Sequence, residues 1–442
     1  MGARWRIAGA TAGALAVSVL FSFASPGPRP SQAYQGSHEP VEPVRVFAAA
    51  DLLHTHHVDA PSRTRVLVAA LGGLRRAVVR AGVASPLADL ETTSEEAARA
   101  SFSARFKLAL GWVQGKVSTG TLEDAAIATM PAGVGDRFST FISAARQAEI
   151  RRGGYSGIGI FFRLVEGQVY IWAVFGGGPA AKAGIRELDQ VLAVDRQGVR
   201  GLTQEEVTRR IRGPDGSAVR LTIRRPARRN PLNVTVRRER VAAPSVSHRM
   251  HPNGIGYIRL HSLGPGAGNA VAQSLKDLQR QGIRALVLDL RQNDFGGLRE
   301  VDHVAGTLLP KDSPLYVVRG MESATGRTGA TPSVPLSLTA VVLVDADTKW
   351  VAEVLAAALS ESGRARLVGT QTARQGGFGR LFDLPGGGAL LIKTSRVVTG
   401  KGVLLERGGV KPDVEVSLRA ADLNAGTDPQ LARALQMARQ GR

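Results

Sequence analysis

Apolar residues recur at helical spacing in three early stretches, Val44 to His57, Arg63 to Ala81 and Ser94 to Val117, which predicts an all-helical N-terminal region. After Gly153 the period changes. Short β-branched and aromatic runs, punctuated by Gly and Pro, predict strands over Gly157 to Phe162, Val169 to Val174, Gln190 to Val194, Val219 to Arg224 and Asn233 to Arg237. One helix, Gln204 to Arg212, sits among them. From Ile255 strands alternate with helices. The strands are Ile255 to Leu260, Ala285 to Leu290, Pro314 to Val318, Leu338 to Val344 and Ala365 to Val368; the helices run near Asn269 to Gln281, Leu298 to Leu309 and Trp350 to Ser360. Late β runs follow at Ala389 to Lys393 and Val414 to Val416. This order predicts an α/β and β multi-domain chain whose layered core carries a site at the carboxyl ends of its strands. The boundaries expected are 1–34 for a leader and linker, 35–150 for the helices, 151–241 for the β-rich unit, 242–420 for the α/β core and 421–442 for a C-terminal tail.

The leader sets the compartment. Arg4 and Arg6 precede an uncharged run from Ile7 to Ala24, then Ser25-Pro-Gly-Pro-Arg-Pro breaks any helix, and Ser22 and Ala24 suit a signal-peptidase site. The expectation is export to a periplasmic or other extracytoplasmic space, either released or held at the inner membrane by residues 7–24. The 442-residue chain has no cysteine, which excludes disulfides, cysteine nucleophiles and thiolate metal sites, while 43% apolar residues suffice for real cores. Its 57 Lys plus Arg against 37 Asp plus Glu give +20, and eleven arginines lie between Arg209 and Arg240. Such charge would bind nucleic acid in a tube, but export argues against that as the physiological partner; a solvated basic face is the plain reading, and an anionic membrane surface the alternative. His54, His56 and His57 lie between Asp51 and Asp59, but nothing later in the chain completes a ligand set, so no metal is expected.

Gly157-Ile-Gly-Ile160 allows a tight loop whose N–H groups can meet a carboxylate, ahead of a strand that can present an open edge. After it come Gly178-Pro-Ala-Ala-Lys-Ala-Gly-Ile185, Asp189-Gln-Val-Leu-Ala-Val-Asp195, the helix, and Gly213-Pro-Asp-Gly216 before a last strand pair. This stretch resembles a bacterial PDZ domain, with Gly157, Ile158, Gly159 and Ile160 as its peptide-binding loop.

A wider set of motifs resembles the carboxyl-terminal processing (tail-specific) serine peptidases. These are Gly135-Asp-Arg-Phe-Ser-Thr-Phe141, Tyr155 to Ile160, Leu288-Asp-Leu-Arg-Gln-Asn293 with Gly296-Gly297, Gly363 to Gly369, and Gly409-Val-Lys-Pro-Asp-Val-Glu-Val416. The resemblance implies a PDZ domain joined to a crotonase-like or ClpP-like core that cuts polypeptides near their C-termini with a serine nucleophile and a lysine base. It implies no cofactor and no metal. The family's serine stands immediately before a glutamate that opens a helix; here the glutamate is Glu353 and the preceding residue Ala352. The lysine position is Gln375, and the glutamine that orients the lysine falls on Gly379. A methyl group cannot attack, and a carboxamide cannot take a hydroxyl proton as a desolvated amine can. Gly296 and Gly297 are the candidate oxyanion donors, but Asn293-Asp-Phe-Gly-Gly297 carries one residue more than the family's usual Asn-Pro-Gly-Gly.

The expectation is a proteolytically inactive relative that binds polypeptide C-terminal tails, with an active family member as a further partner and the oligomeric state open. The alternative is an active serine endopeptidase with relocated residues. Thr348, Lys349, Ser360, Ser362, Thr372 and Lys393 supply the local hydroxyls and amines, and Thr348 with Lys349 is the leading pair.

Overall fold

The computed structural model describes residues 42–441 apart from 85–86, 136–137, 152–154, 322 and 330–331. The export signal expected over residues 7–24 lies outside them, as do Asp136 and Arg137 of the Gly135 motif. No helix among the described residues is long and apolar enough to cross a membrane.

Four helices open the chain: α1 Val44–His56, α2 Arg63–Arg80, α3 Glu95–Trp112 and α4 Thr119–Ile127. The last three begin at serines whose hydroxyls accept backbone N–H groups, Ser62 from Arg65, Ser94 from Ala97 and Ser118 from Thr121. The sequence pattern ran α3 on to Val117, but the helix stops at Trp112 and Ser118 starts a new one. These helices do not close on themselves. Their apolar faces share a core with Leu384, Leu390 and Ile392, which belong to a hairpin some 250 residues later.

The β-rich unit is a five-strand antiparallel path, β1 Ile160–Val165, β2 Gln168–Val174, β3 Gln190–Val194, β4 Ala218–Arg224 and β5 Leu232–Arg237, joined in that order. The helix α5 Gln204–Ile211 covers it, opened by a capping box between Thr203 and Glu206. Within this sheet β1 pairs with β2 alone, so its other edge is open.

The α/β core is a six-strand sheet: β6 Val246–His251, β7 Ile255–Leu260, β8 Ala285–Asp289, then β11 Thr339–Val344, β12 Arg366–Gly369 and β15 Val414–Glu415. All neighbours are parallel except β6 with β7. A second sheet is built on the long strand β14 Ala389–Thr399, flanked by β9 Pro314–Gly320 with β10 Ala324–Arg327 and by β13 Gly377–Asp383. Helices α6 Ala267–Arg280, α7 Leu298–Gly306 and α8 Val351–Glu361 cover one face of the parallel sheet. Alternate strand residues follow the two-residue period: Ile258, Leu288, Val342 and Leu367 face these helices, while Tyr257, Val287, Val341 and Val368 face the other side.

That other side is closed by α9 Pro429–Arg439, through Ala434, Met437 and Ala438. The residues expected to trail as a tail, 421–442, are corrected here. Asp428 caps α9 and pairs with Arg291 at 2.9 Å, and Gln430 accepts from the same guanidinium at 2.9 Å. Arg291 in turn chelates the buried Asp289, to which Tyr257 donates its hydroxyl. Burial alone would raise the Asp289 carboxyl, but the guanidiniums of Arg291 and Arg259 outweigh it and hold the group well below the usual carboxylate range.

Because Leu390 is fully buried between the helices and the hairpin, Leu390→Ala is expected to cost about 3 kcal/mol. Urea unfolding should show a lower midpoint with an unchanged slope.

Candidate peptide groove and catalytic elbow

Strand β11 leads into a turn held by its own polar groups. The buried Asp345 accepts from the N–H of Gln292 at 3.2 Å and of Asp347 at 3.0 Å. Thr348 accepts from the N–H of Asp345 at 3.0 Å and donates to the Leu290 carbonyl at 3.0 Å. The chain then enters α8 through Trp350, whose φ of 52° and ψ of −118° mark a sharp strand-to-helix elbow. A bulky residue there is a genuine outlier, and such strained turns are used elsewhere to hold up a nucleophile. In this chain the elbow carries an indole. Its ring packs on Phe138, with centroids 5.3 Å apart and planes at 59°.

Glu353, one turn into α8, fixes the facing loop. Its carboxylate accepts from the Thr372 hydroxyl and from the N–H groups of Arg374 at 2.9 Å and Gln375 at 2.7 Å. Complete burial pushes this carboxyl above its ordinary range, against the pull of those three donors. The backbone of Gln375 is thus tied to the helix that Trp350 opens.

The groove lies on the β-rich unit. In the loop before β1, the Ile158 carbonyl accepts from Ala180 at 2.8 Å and the Gly159 carbonyl from Phe175 at 2.9 Å. In a trans peptide the N–H points opposite the carbonyl, so the amides of Gly159 and Ile160 turn the other way, toward the cavity that the loop lines. Gly159 has a φ of 76°, a conformation few other residues hold without strain. The cavity, about 410 Å³, runs between the open edge of β1, the α5 residues Gln204, Thr208 and Ile211, and the core residues Arg259, Asp294 and Lys349.

Known proteins match this architecture. The sequence model for peptidase family S41 matches residues 254–416 and that for the PDZ domain residues 156–236. A carboxyl-terminal-processing protease from Picosynechococcus sp. is 34% identical over 59% of this chain and 64% of its own length. One from Synechocystis sp. is 31% identical over 64% of this chain and 69% of its own. This chain belongs to the carboxyl-terminal-processing protease family. It spans just under two thirds of the first relative and slightly more of the second. Among solved structures, the photosystem II D1 C-terminal processing protease shares the fold, with a TM-score of 0.51, 23% identity and coverage of 85% of this chain and 93% of that one. An S41 protease structure from Bacteroides fragilis does so with a TM-score of 0.54, 19% identity and coverage of 72% and 90%.

The family motif places the nucleophile position at Ala352. Ala352 is 0% exposed, lies inside α8 and packs into the main core, so a hydroxyl there would meet hydrocarbon rather than a substrate. The turn residue is two positions earlier, at Trp350, a signal available in the run Val351 to Leu359, which is apolar but for Glu353 and buried throughout, so that this stretch leaves α8 no cleft-facing side. Gly379 lies on β13, where an added Cβ would sit 2.4 Å from the Ile392 carbonyl and 2.4 Å from the Phe138 ring. No orienting glutamine fits beside that ring. Of the two glycines expected as oxyanion donors, Gly297 gives its N–H to the Leu263 carbonyl at 3.0 Å. Gly296 approaches the same carbonyl so closely that a Cβ would meet it at 2.3 Å.

The displaced candidates hold other partners. Thr348 and Thr372 are buried in the bonds described above, Ser362 donates to the Ala358 carbonyl at 2.7 Å, and Ser360 rides the last turn of α8. Lys349 pairs with Asp347 at 3.2 Å, and Lys393 with Glu406 at 3.3 Å. The histidines diverge as well: His54 meets the Pro61 carbonyl, while His56 stacks on Phe382 at 4.3 Å.

Glu353→Gln would turn an amide NH₂ toward the N–H groups of Arg374 or Gln375. A loss of about 2 kcal/mol in thermal or urea unfolding is expected, with limited proteolysis first cutting the 372–375 loop.

Proposed function

We propose that this chain is a non-catalytic member of its family that binds polypeptide C-terminal tails through its PDZ domain. The observation that carries the reading is the Trp350–Phe138 pair. At the elbow where hydrolysis requires an attacking oxygen, the chain presents an indole backed by a phenyl ring. Gln375, a carboxamide, stands in the loop held against the same helix. Removal of a serine nucleophile in other peptidases costs on the order of 10⁶ in turnover. The catalytic positions on this reading are Trp350 for attack, Gln375 for the base and Gly379 for its orientation.

Binding is the function left intact. The amides of Gly159 and Ile160 suit a terminal carboxylate, and the open edge of β1 suits a peptide added as a strand. The uncharged run Ile7 to Ala24 supports export, and the exposed Arg209, Arg224, Arg228, Arg229 and Arg237 support contact with an anionic membrane surface. An active family member competing for the same tails is the natural protein partner.

Purified protein is expected to leave casein intact over hours. Trp350→Ser with Gln375→Lys and Phe138→Ala should produce measurable cleavage, whereas Ala352→Ser with Gln375→Lys should not. Casein degradation by the parent, abolished by Thr348→Ala or Lys349→Ala, would overturn the reading in favour of a relocated active site.

A further inference from the structure

The cavity has two chemically different walls, and the pleat of β1 assigns one to each alternate residue of a docked tail. Ile160 and Phe162 turn into the PDZ core beside Ile158. Phe161 and Arg163 turn the other way: Phe161 stacks on His261 at 4.6 Å, and Arg163 pairs with Asp345 at 2.8 Å. A strand added to the β1 edge shares this alternation, because paired residues project to the same face. With its carboxylate at the Gly159 and Ile160 amides, a tail turns its last side chain toward Ile211 and Thr208. The residue before it then faces the α/β core.

That second wall carries the cations Arg259, Arg291 and Lys349 and the carboxylates of Asp294 and Asp347. Of the charged groups lining the cavity, Arg291 is matched by Asp289 and Asp428, and Lys349 by Asp347. Arg212 lies on the PDZ side, Arg146 on the helical segment 144–151 that precedes it, and Asp294 is exposed at the mouth. Arg259 acts on Asp289 only through its charge, with no hydrogen bond to it. It is 4% exposed, its Nη1 donates to the Trp172 carbonyl at 2.8 Å, and its Nη2 has no hydrogen-bond partner among the described residues. The neighbouring His261 is driven well below its ordinary value by burial, so it remains neutral and offers no competing charge. A guanidinium with spare donors beside a peptide groove is matched by a carboxylate.

We infer that Arg259 gives the groove a second, anion-binding subsite, which selects tails carrying Asp or Glu at the penultimate position. The inference rests on the tail-binding reading and adds a sequence preference to it. The test is fluorescence anisotropy with the intact chain and four labelled peptides that share an apolar last residue and an otherwise uncharged sequence. They carry penultimate Glu, penultimate Gln, Glu moved one residue further upstream, and penultimate Glu with an amidated C-terminus.

Penultimate Glu should bind about tenfold more tightly than Gln. The moved Glu should match Gln, since it faces α5, and the amide should bind weakest. Arg259→Gln should abolish the Glu-over-Gln preference, read as the ratio of the two affinities measured in that variant. Where that variant does not fold, the parent's four affinities decide. Equal binding of penultimate Glu and Gln would overturn the subsite and leave tail binding standing. Failure of all four peptides to bind would overturn both.

Discussion

One buried carboxylate organises the region between the groove and the elbow. Asp345 ends the central strand of the core, fixes the turn by accepting from Gln292 and Asp347, and pairs with Arg163 on the open strand of the PDZ domain. With 1% of its side chain exposed, it needs every one of these donors, because an unpaired buried charge is far costlier than the pair is stabilising. The elbow's shape and the PDZ domain's seat on the core therefore depend on the same two oxygens. Around this pair the guanidiniums of Arg163, Arg259 and Arg291 surround Trp172, at 5.0, 4.7 and 4.8 Å from the ring. The indole spreads their charge contacts over a face that water does not reach.

The strained elbow persists although the residue on it is neither small nor polar. A non-glycine residue in that conformation costs on the order of 1–3 kcal/mol, and it survives only where the surroundings over-determine it. Here the surroundings are α8, buried from Val351 to Leu359, and the Glu353 carboxylate that ties the next loop to its first turn. The turn is thus a property of the fold rather than of the side chain presented there. The backbone geometry sets no requirement for a particular side chain at that position.

Much of this was legible in the sequence, and the remainder has physical causes. The strand order of the PDZ unit and the alternating core followed from two-residue and helical periods, and the family motifs pinned Glu353 to the start of its helix. A motif fixes order but not helical phase, so it did not show that the strand-to-helix turn falls at Trp350, two residues before Ala352. Asp345 to Trp350 contains no glycine to announce a positive φ. Phe138 could not be foreseen either, since it meets Trp350 across more than two hundred residues of chain. By contrast, α9 was readable. Asp428 followed by Pro429 is a strong helix start, and Leu431, Ala434, Leu435 and Ala438 recur at helical spacing.

The ring of Phe138 also joins two parts of the chain that lie far apart in sequence. It occupies the space beside Gly379 and supports Trp350, so the elbow and strand β13 share one packing unit. Removing the phenyl opens a void under the indole, and a side chain added at Gly379 collides with the same ring. The two positions are therefore free to change only together, and a substitution at either one is felt at the other.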